Sequence, residues 1–285
     1  MIADEPMLPI ARKCAIMNVS RSGYYDWRQR EVSRRELANQ DLDAQIQTIY
    51  HNHAGRYGYR RICEELRDMG ICASLERVRR RMKRLNLKGI QHRKFKHTTN
   101  SKHNLPIMPN LLEQNFSADQ ANQVWVADIT YIDTDEGVAY LHLLTDAFTH
   151  EIIGWVLSDS LVASNTVTAL EMGISHVSPL GFDGLIHHSD RGVQYCCNQY
   201  IDRLQAIKAT ISMTEDYKPT DNAIAERVNG IIKQEWLYRM KRPPDVVVAR
   251  DLLARIIDFY NNRRPHRSNR DMLPPVRFRE ALTCM

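Results

Sequence analysis

The chain has 285 residues, 43% of them hydrophobic, enough to bury a sizeable core and to hold a catalytic domain beside a smaller one. Its net charge of +5 hides an uneven division: residues 1–115 carry 22 Lys/Arg against 12 Asp/Glu, residues 116–285 carry 17 against 22. A basic front end suits polyanions and an acidic back end suits metal, while the lack of any apolar run near the roughly eighteen residues of a membrane span excludes a membrane partner.

In chain order, residues 1–35 read as an N-terminal helical segment of one or two short helices around the turn 18–23. Residues 36–90 read as a helix-turn-helix-like region with helices at 41–50, 59–69 and 75–85, the last capped by Ser74. In that last helix Leu75, Val78, Met82 and Leu85 form an apolar stripe, and six basic residues crowd positions 77–84. Self-repulsion among them would be relieved by a phosphate backbone, so Arg77, Arg80, Arg81 and Arg84 are candidate contacts to double-stranded DNA. The six cysteines include no Cys-x-x-Cys pair, which favours reduced thiols and a cytoplasmic protein. His51, His53, Cys63 and Cys72 have the ligand types for zinc, but their spacing matches no standard finger. Residues 91–115, with Arg93, Lys94, Lys96 and Lys102 before Pro106 and Pro109, read as a basic linker.

From residue 116 the pattern becomes α/β. A long apolar run, 124–132, reads as a central strand interrupted by one carboxylate, Asp128, whose burial without a partner would cost several kcal/mol. Strands at 138–146 and 151–157, a helix at 163–176, a strand ending at Asp190, a short strand at 209–213 and a helix at 220–233 follow. Glu226 lies on that last helix with Asn222, Asn229, Gly230 and Lys233 on one arc, opposite Ile224, Val228 and Ile231. Asp128, Asp190 and Glu226 could join in one metal site; each could equally be a core aspartate, a turn former and a solvated helix residue. Asp146, at a strand end, is the decoy, with a structural role expected. A helix at 246–260 and a basic tail close the chain, giving divisions at 116–240 for the core and 241–285 for the C-terminal part.

The words around the acids settle the preference. Trp125-Val126-Ala127-Asp128-Ile129-Thr130-Tyr131-Ile132, His188-Ser189-Asp190-Arg191-Gly192-Val193-Gln194-Tyr195 and Asp221-Asn222-Ala223-Ile224-Ala225-Glu226, with Lys233 seven residues on, resemble the DDE transposases of bacterial insertion sequences. The specific likeness is to the OrfB-type product of the IS-three group. Ser20-Arg21-Ser22-Gly23-Tyr24-Tyr25-Asp26-Trp27, Arg56-Tyr57-Gly58-Tyr59-Arg60-Arg61-Ile62 and Tyr260-Asn261-Asn262-Arg263-Arg264-Pro265-His266 extend it over nearly the whole chain. Departures are Val193 in place of a small polar residue, His150 in place of an arginine, and Ser268-Asn269-Arg270-Asp271 in place of a Leu-Gly stretch.

The resemblance implies a ribonuclease H-like integrase core, with a five-stranded mixed sheet flanked by helices, preceded by a small all-α helix-turn-helix region. It implies Asp128, Asp190 and Glu226 as ligands of Mg²⁺ or Mn²⁺, two ions in number, for cleavage at element ends and transfer of the 3′-OH into DNA. Lys233, Asn222, Asn229, Arg263 and Arg264 become DNA-contact candidates and His188 a residue behind the ligands. A homo-oligomer on DNA, an upstream-frame OrfA-type partner or fusion, and a nucleoid-associated location are implied with it. The alternatives are a related integrase or nuclease, or a DNA-binding protein of the same fold without activity.

Overall fold

The computed structural model describes residues 9–89, 105–177, 181–215 and 219–283. The basic positions 93, 94, 96 and 102 of the expected linker lie outside the described residues. The chain divides into two compact units, Met1–Gly89 and Ile90–Met285.

The first unit is all helical: α1 (Ile10–Ile16), α2 (Arg21–Gln29), α3 (Arg34–Asn52), α4 (Tyr59–Asp68) and α5 (Leu75–Arg84). Serines cap three of them, Ser20 accepting from the Gly23 amide, Ser33 from Glu36 and Ser74 from Arg77. The Ser33 cap starts α3 well before residue 41 and carries it across the boundary expected at 35, because Ser33-x-x-Glu36 is a capping-box sequence. Leu42, Ile46 and Ile49 of α3, Ile62 and Leu66 of α4, and Val78 and Met82 of α5 are buried as a small core. Leu75 was expected in the α5 stripe but is exposed; Arg81 is buried in its stead, its guanidinium bound to both carboxylate oxygens of Asp43. Val78 and Met82 keep their places in the stripe, which shifts slightly to admit an arginine whose charge is met inside.

In the second unit β1 (Val124–Thr134), β2 (Gly137–Asp146) and β3 (Ile152–Ser158) form an antiparallel meander, and α6 (Ala163–Val177) follows. Then come β4 (Ile186–Ser189), α7 (Val193–Cys196), α8 (Asn198–Ala206), β5 (Thr210–Met213), a 3-10 turn (Pro219–Asn222) and α9 (Ala223–Glu235). The sheet order is β3-β2-β1-β4-β5, with β4 and β5 parallel to β1, so the five-stranded mixed sheet of the expectation is present. β1 is central because its run is apolar on both faces. Trp125 and Ala127 pack with α6, α7 and α8 residues such as Leu170, Cys196 and Tyr200. On the opposite face Ile132 joins Val228, Ile231 and Ile232 of α9 and Leu253, Ile256 and Tyr260 of α10 (Val246–Asn262).

The expected basic tail is a correction. After α10 comes a 3-10 turn (Arg270–Met272) and a last helix, α11 (Pro275–Thr283), whose Phe278 is buried 5.4 Å from the Phe148 ring centroid. Arg279 of α11 binds Glu151 beside His176. Burial pushes the Glu151 carboxyl up, but His176 and Arg279 outweigh it and hold the group below the usual carboxylate range. The sequence hid this helix because two prolines and a charge-rich stretch masked its short apolar face.

Helix α6 lies directly on β3 through two glycines. A Cβ at Gly154 would stand 2.1 Å from the Ala169 carbonyl oxygen, and one at Gly173 would stand 2.6 Å from Leu144 Cδ2. Backbone cannot yield as a side-chain tip can, so Gly154→Ala will lower unfolding free energy by about 1–3 kcal/mol, read as a lower urea midpoint. An unchanged midpoint would contradict this packing.

Candidate active site

Asp128 sits mid-strand on β1, opposite Leu143 of β2. Asp190 directly follows β4, where its Oδ1 accepts from the Gly192 amide at 2.9 Å and so shapes the turn into α7. Glu226 is in the first turn of α9. The parallel pairing of β4 with Val124–Val126 of β1 brings the end of β4 alongside the middle of β1. The three acids share one electrostatic neighbourhood: the Asp128 carboxyl is pushed up to about 8, first by loss of water, then by the charge of Asp190, with Glu226 adding to it. The Ile129 amide and Asn229 act in the opposite direction and are outweighed.

The surrounding amides face inward. Asn229 donates to Asp128 Oδ2 at 2.6 Å and Asn222 donates to the Ala127 carbonyl at 2.9 Å, both asparagines being buried. Their expected role against DNA is therefore corrected: they fasten α9 to β1. The grouping of Asn222, Asn229 and Glu226 on one arc stands, but that arc faces the sheet and leaves Ala223 and Arg227 to solvent. His188 is a strut as well. Its Nε2 is 2.7 Å from the Asp221 carbonyl, which can only accept, so Nε2 carries the proton and Nδ1, 2.9 Å away, accepts from Ser212 Oγ. Burial holds His188 below its ordinary range and thus neutral; it ties β4 and β5 to the start of α9.

Lys233 is half-buried two turns beyond Glu226. Desolvation pulls its ammonium down, while Asp128 and Asp133 pull it up. Asp146 is fully buried and accepts from the amides of Asn122 (2.6 Å) and Thr149 (2.7 Å) and from the Thr149 hydroxyl (2.9 Å), so its lone pairs are committed to the β2–β3 corner.

Among the arginines the two of the closing motif differ. Arg264 is 2% exposed and pairs with both oxygens of Glu235 at 2.9 and 2.8 Å, its guanidinium 5.5 Å from the Tyr260 ring, so a DNA contact by Arg264 is corrected to an internal one. Arg263 is exposed. In the first unit Arg81 is likewise internal, and Arg77 donates to Asn39 Oδ1 at 3.0 Å. Arg80 and Arg84 are at the surface, at 3.1 and 3.2 Å from Glu76 and Glu36. Arg81 and Arg264 stand apart because each is buried against an acid on another element, a burial that a helical wheel drawn on a single helix omits. The closing motif also reaches the sheet edge: Asn261 bonds both the amide (3.0 Å) and carbonyl (2.9 Å) of Ile152. Two of the family departures meet, His150 Nδ1 lying 3.1 Å from Asn269 Oδ1.

Two outcomes follow. Without divalent ions, Asp128 keeps its proton in the folded state up to about pH 8 but loses it near pH 4 when unfolded, so stability falls as pH rises between those values. Urea midpoints from pH 5 to 8 will show this decline, at most about 1.4 kcal/mol per pH unit, and Asp128→Asn will flatten it; equal slopes would refute the assignment. Arg264→Ala will cost about 3–5 kcal/mol by leaving Glu235 in the interior. Arg263→Ala will leave the unfolding midpoint within about 0.5 kcal/mol, and reversal of that order in thermal melts would count against the inward placement.

The Integrase core domain family model matches residues 118–219, a second Integrase core domain model matches 207–275, and an HTH-like domain model matches 36–95. An IS600 insertion-element protein of 31 kDa from Shigella sonnei is 38% identical over 94% of this chain and 97% of its own length. The putative transposase of IS986/IS6110 from Mycobacterium tuberculosis is 32% identical over 93% of this chain and 96% of its own. The transposase InsF of IS3A from Escherichia coli is 34% identical over 80% of each. With an integrase core behind an HTH-like region and relatives of this identity along its whole length, the chain belongs to the IS3 family of insertion-sequence transposases.

Proposed function

We propose that this protein is a DNA transposase that cuts at the ends of its own insertion sequence and joins the freed 3′-OH to new DNA, with Asp128, Asp190 and Glu226 as its catalytic acids. The carrying observation is the desolvated Asp128 carboxyl, raised by the charges of Asp190 and Glu226. Natural folds avoid that concentration of negative charge unless a cation compensates it.

The donor set tests the metal. Among the described residues no group of three or more His, Cys, Asp or Glu is placed to hold a metal ion as the side chains stand, so the three acids would have to draw together around one. The three acids offer oxygen alone, with no thiolate or imidazole among them, which fits the hard cations Mg²⁺ and Mn²⁺ and the divalent-metal habit of the integrase fold. Two such ions would supply Lewis-acid stabilisation to the attacking and leaving oxygens of a phosphodiester.

The chain's own residues do the rest. Asn229 holds Asp128 Oδ2, and Asn222 holds the Ala127 carbonyl, so α9 presents Glu226 to the strand at a fixed height. Lys233, on the same helix, offers its ammonium to a phosphate oxygen. In cleavage a water oxygen bonds to phosphorus and gives up a proton, the bond from phosphorus to O3′ breaks, and O3′ takes up a proton to become the 3′-OH. In joining, that 3′ oxygen bonds to a target phosphorus and displaces the target's own O3′. Bonds are exchanged one for one, so no external energy source is needed, and no side chain forms a covalent link to DNA.

The finer parts of the proposal are double-stranded element ends and target DNA as substrates and a homo-oligomer holding two ends. An OrfA-type partner from the upstream frame is also part of it. Arg80, Arg84 and Arg263 are the surface arginines among its candidate DNA contacts. No helix of the described residues is long and apolar enough to cross a membrane.

Incubating a labelled element-end duplex with plasmid and Mg²⁺ or Mn²⁺ will give joined product, and Glu226→Gln will reduce it by about a hundredfold or more while DNA binding persists. Cleavage without joining would point to a nuclease; metal-independent binding with no reaction would sink the catalytic reading.

A further inference from the structure

Past Val126, β1 makes no strand pairing on its β4 side among the described residues, because β4 is short and pairs only with Val124, Trp125 and Val126; beyond them the Ala127 carbonyl is taken by the Asn222 side chain. At the far end of this open edge the Asp135 and Glu136 amides donate to the carbonyls of Pro243 and Pro244, which draws the segment after α9 across the strand. Between strand and segment lies a cavity of about 240 Å³. Tyr131, Tyr238, Lys233, Arg242 and Asp133 supply its polar and aromatic lining, over an apolar floor that includes Leu237 and Met240. Tyr131 is steadied by an edge-on contact with Tyr140, ring centroids 5.5 Å apart. The rings and apolar floor suit a flat aromatic ligand, the two cations suit a phosphate, and the Asp133 carboxylate can accept from an exocyclic amine. Lys233 lines this cavity and also feels the charge of Asp128, which places the Lys233 side of the cavity toward that acid.

We infer that this cavity is a subsite for a single unpaired nucleotide of the DNA strand being processed. It takes a base beside Tyr131 and Tyr238 and the neighbouring phosphate on Lys233 and Arg242. The inference rests on the transposase reading for the presence of DNA at the acids. A double helix cannot enter a cavity of this size, whereas one nucleotide swung from the stack can, and aromatic faces reward that exchange with any base. Asp133 adds a preference: adenine, cytosine and guanine carry an exocyclic amine and thymine does not. Holding one base out of the stack beside the reacting phosphate would add the identity of a base to the register against Asp128, because phosphate contacts position the duplex but carry no sequence information.

The test is a mismatch scan. Duplexes of the element's own end, each with one mismatch at a successive position around the cleaved phosphate, are titrated with the full chain without divalent ions. A mismatch lowers the cost of extruding its base, so at one position binding by the wild type will tighten about tenfold. Tyr238→Ala will abolish that gain, Tyr238→Phe will keep it, and Arg242→Gln will weaken it. Tyr238 is 47% exposed, so its truncation leaves the core intact, and Arg242→Gln gives an independent arm. Replacing the extruded base by thymine will lose part of the gain. A scan with no privileged position, or a gain unchanged in both Tyr238→Ala and Arg242→Gln, overturns the subsite. Wild-type joining of the fully paired duplex, run with metal alongside, separates the two ideas: joining without a privileged position removes the subsite and keeps the transposase, while a Tyr238-dependent gain without joining does the reverse.

Discussion

A carboxylate in the middle of a buried strand is the constraint from which most of this molecule follows. Asp128 occupies a position where the neighbouring residues on β1 are selected for apolar packing, and water is largely excluded from it. Nothing about the sheet requires an acid there, and a leucine would pack better. The acid instead dictates what surrounds it: an asparagine turned inward to hold one oxygen, a second asparagine on the adjacent carbonyl, and a lysine whose own charge is partly desolvated. Helix α9 is consequently buried along two stripes, a polar one against Asp128 and an apolar one packed with Ile132 of β1 and with α10. Strain of this kind belongs to a site kept for chemistry.

Around that centre a ring of internal polar pairs fixes the sheet's periphery. Asp146 closes the β2–β3 corner, Glu151 is gripped by His176 and Arg279, and Arg264 is locked to Glu235. Each would be costly if broken, because removing one partner leaves the other charge in the interior. Such pairs define one arrangement of the elements more sharply than interchangeable aliphatic contacts do. They involve α6 on one face, α9 and the turn after α10 on the other, and α11 at the corner, so the placing of the helices on the sheet is specified by charge as much as by shape.

How much of this was legible varies with range. The strands were readable because an apolar run flanked by turn residues has few alternatives, and the sheet order followed from the family words. The strand and helix that carry the three acids were readable for the same reason. Apart from the start of α3, which the local Ser33 cap sets, the failures were at long range. Arg81 and Arg264 look like any other member of a basic cluster until Asp43 and Glu235 are placed beside them, 38 and 29 residues away in sequence. Asn229 lay on the right arc, but a wheel has no way to say that the arc meets a strand and not solvent. Helix α11 was missed because its burial comes from Phe148 and Glu151, more than a hundred residues upstream.

The position of Arg279 in the chain has a consequence for the order of events during synthesis. A ribosome releases β1, β2 and β3 first, and with them Asp146 and Glu151, long before the arginine that neutralises their corner has been made. Until Arg279 is made, Glu151 has only His176 to meet its charge in a region destined to be dry. Loss of the α11 arginine would leave that corner with an undercompensated carboxylate, so its removal is expected to loosen the sheet and expose it to proteolysis.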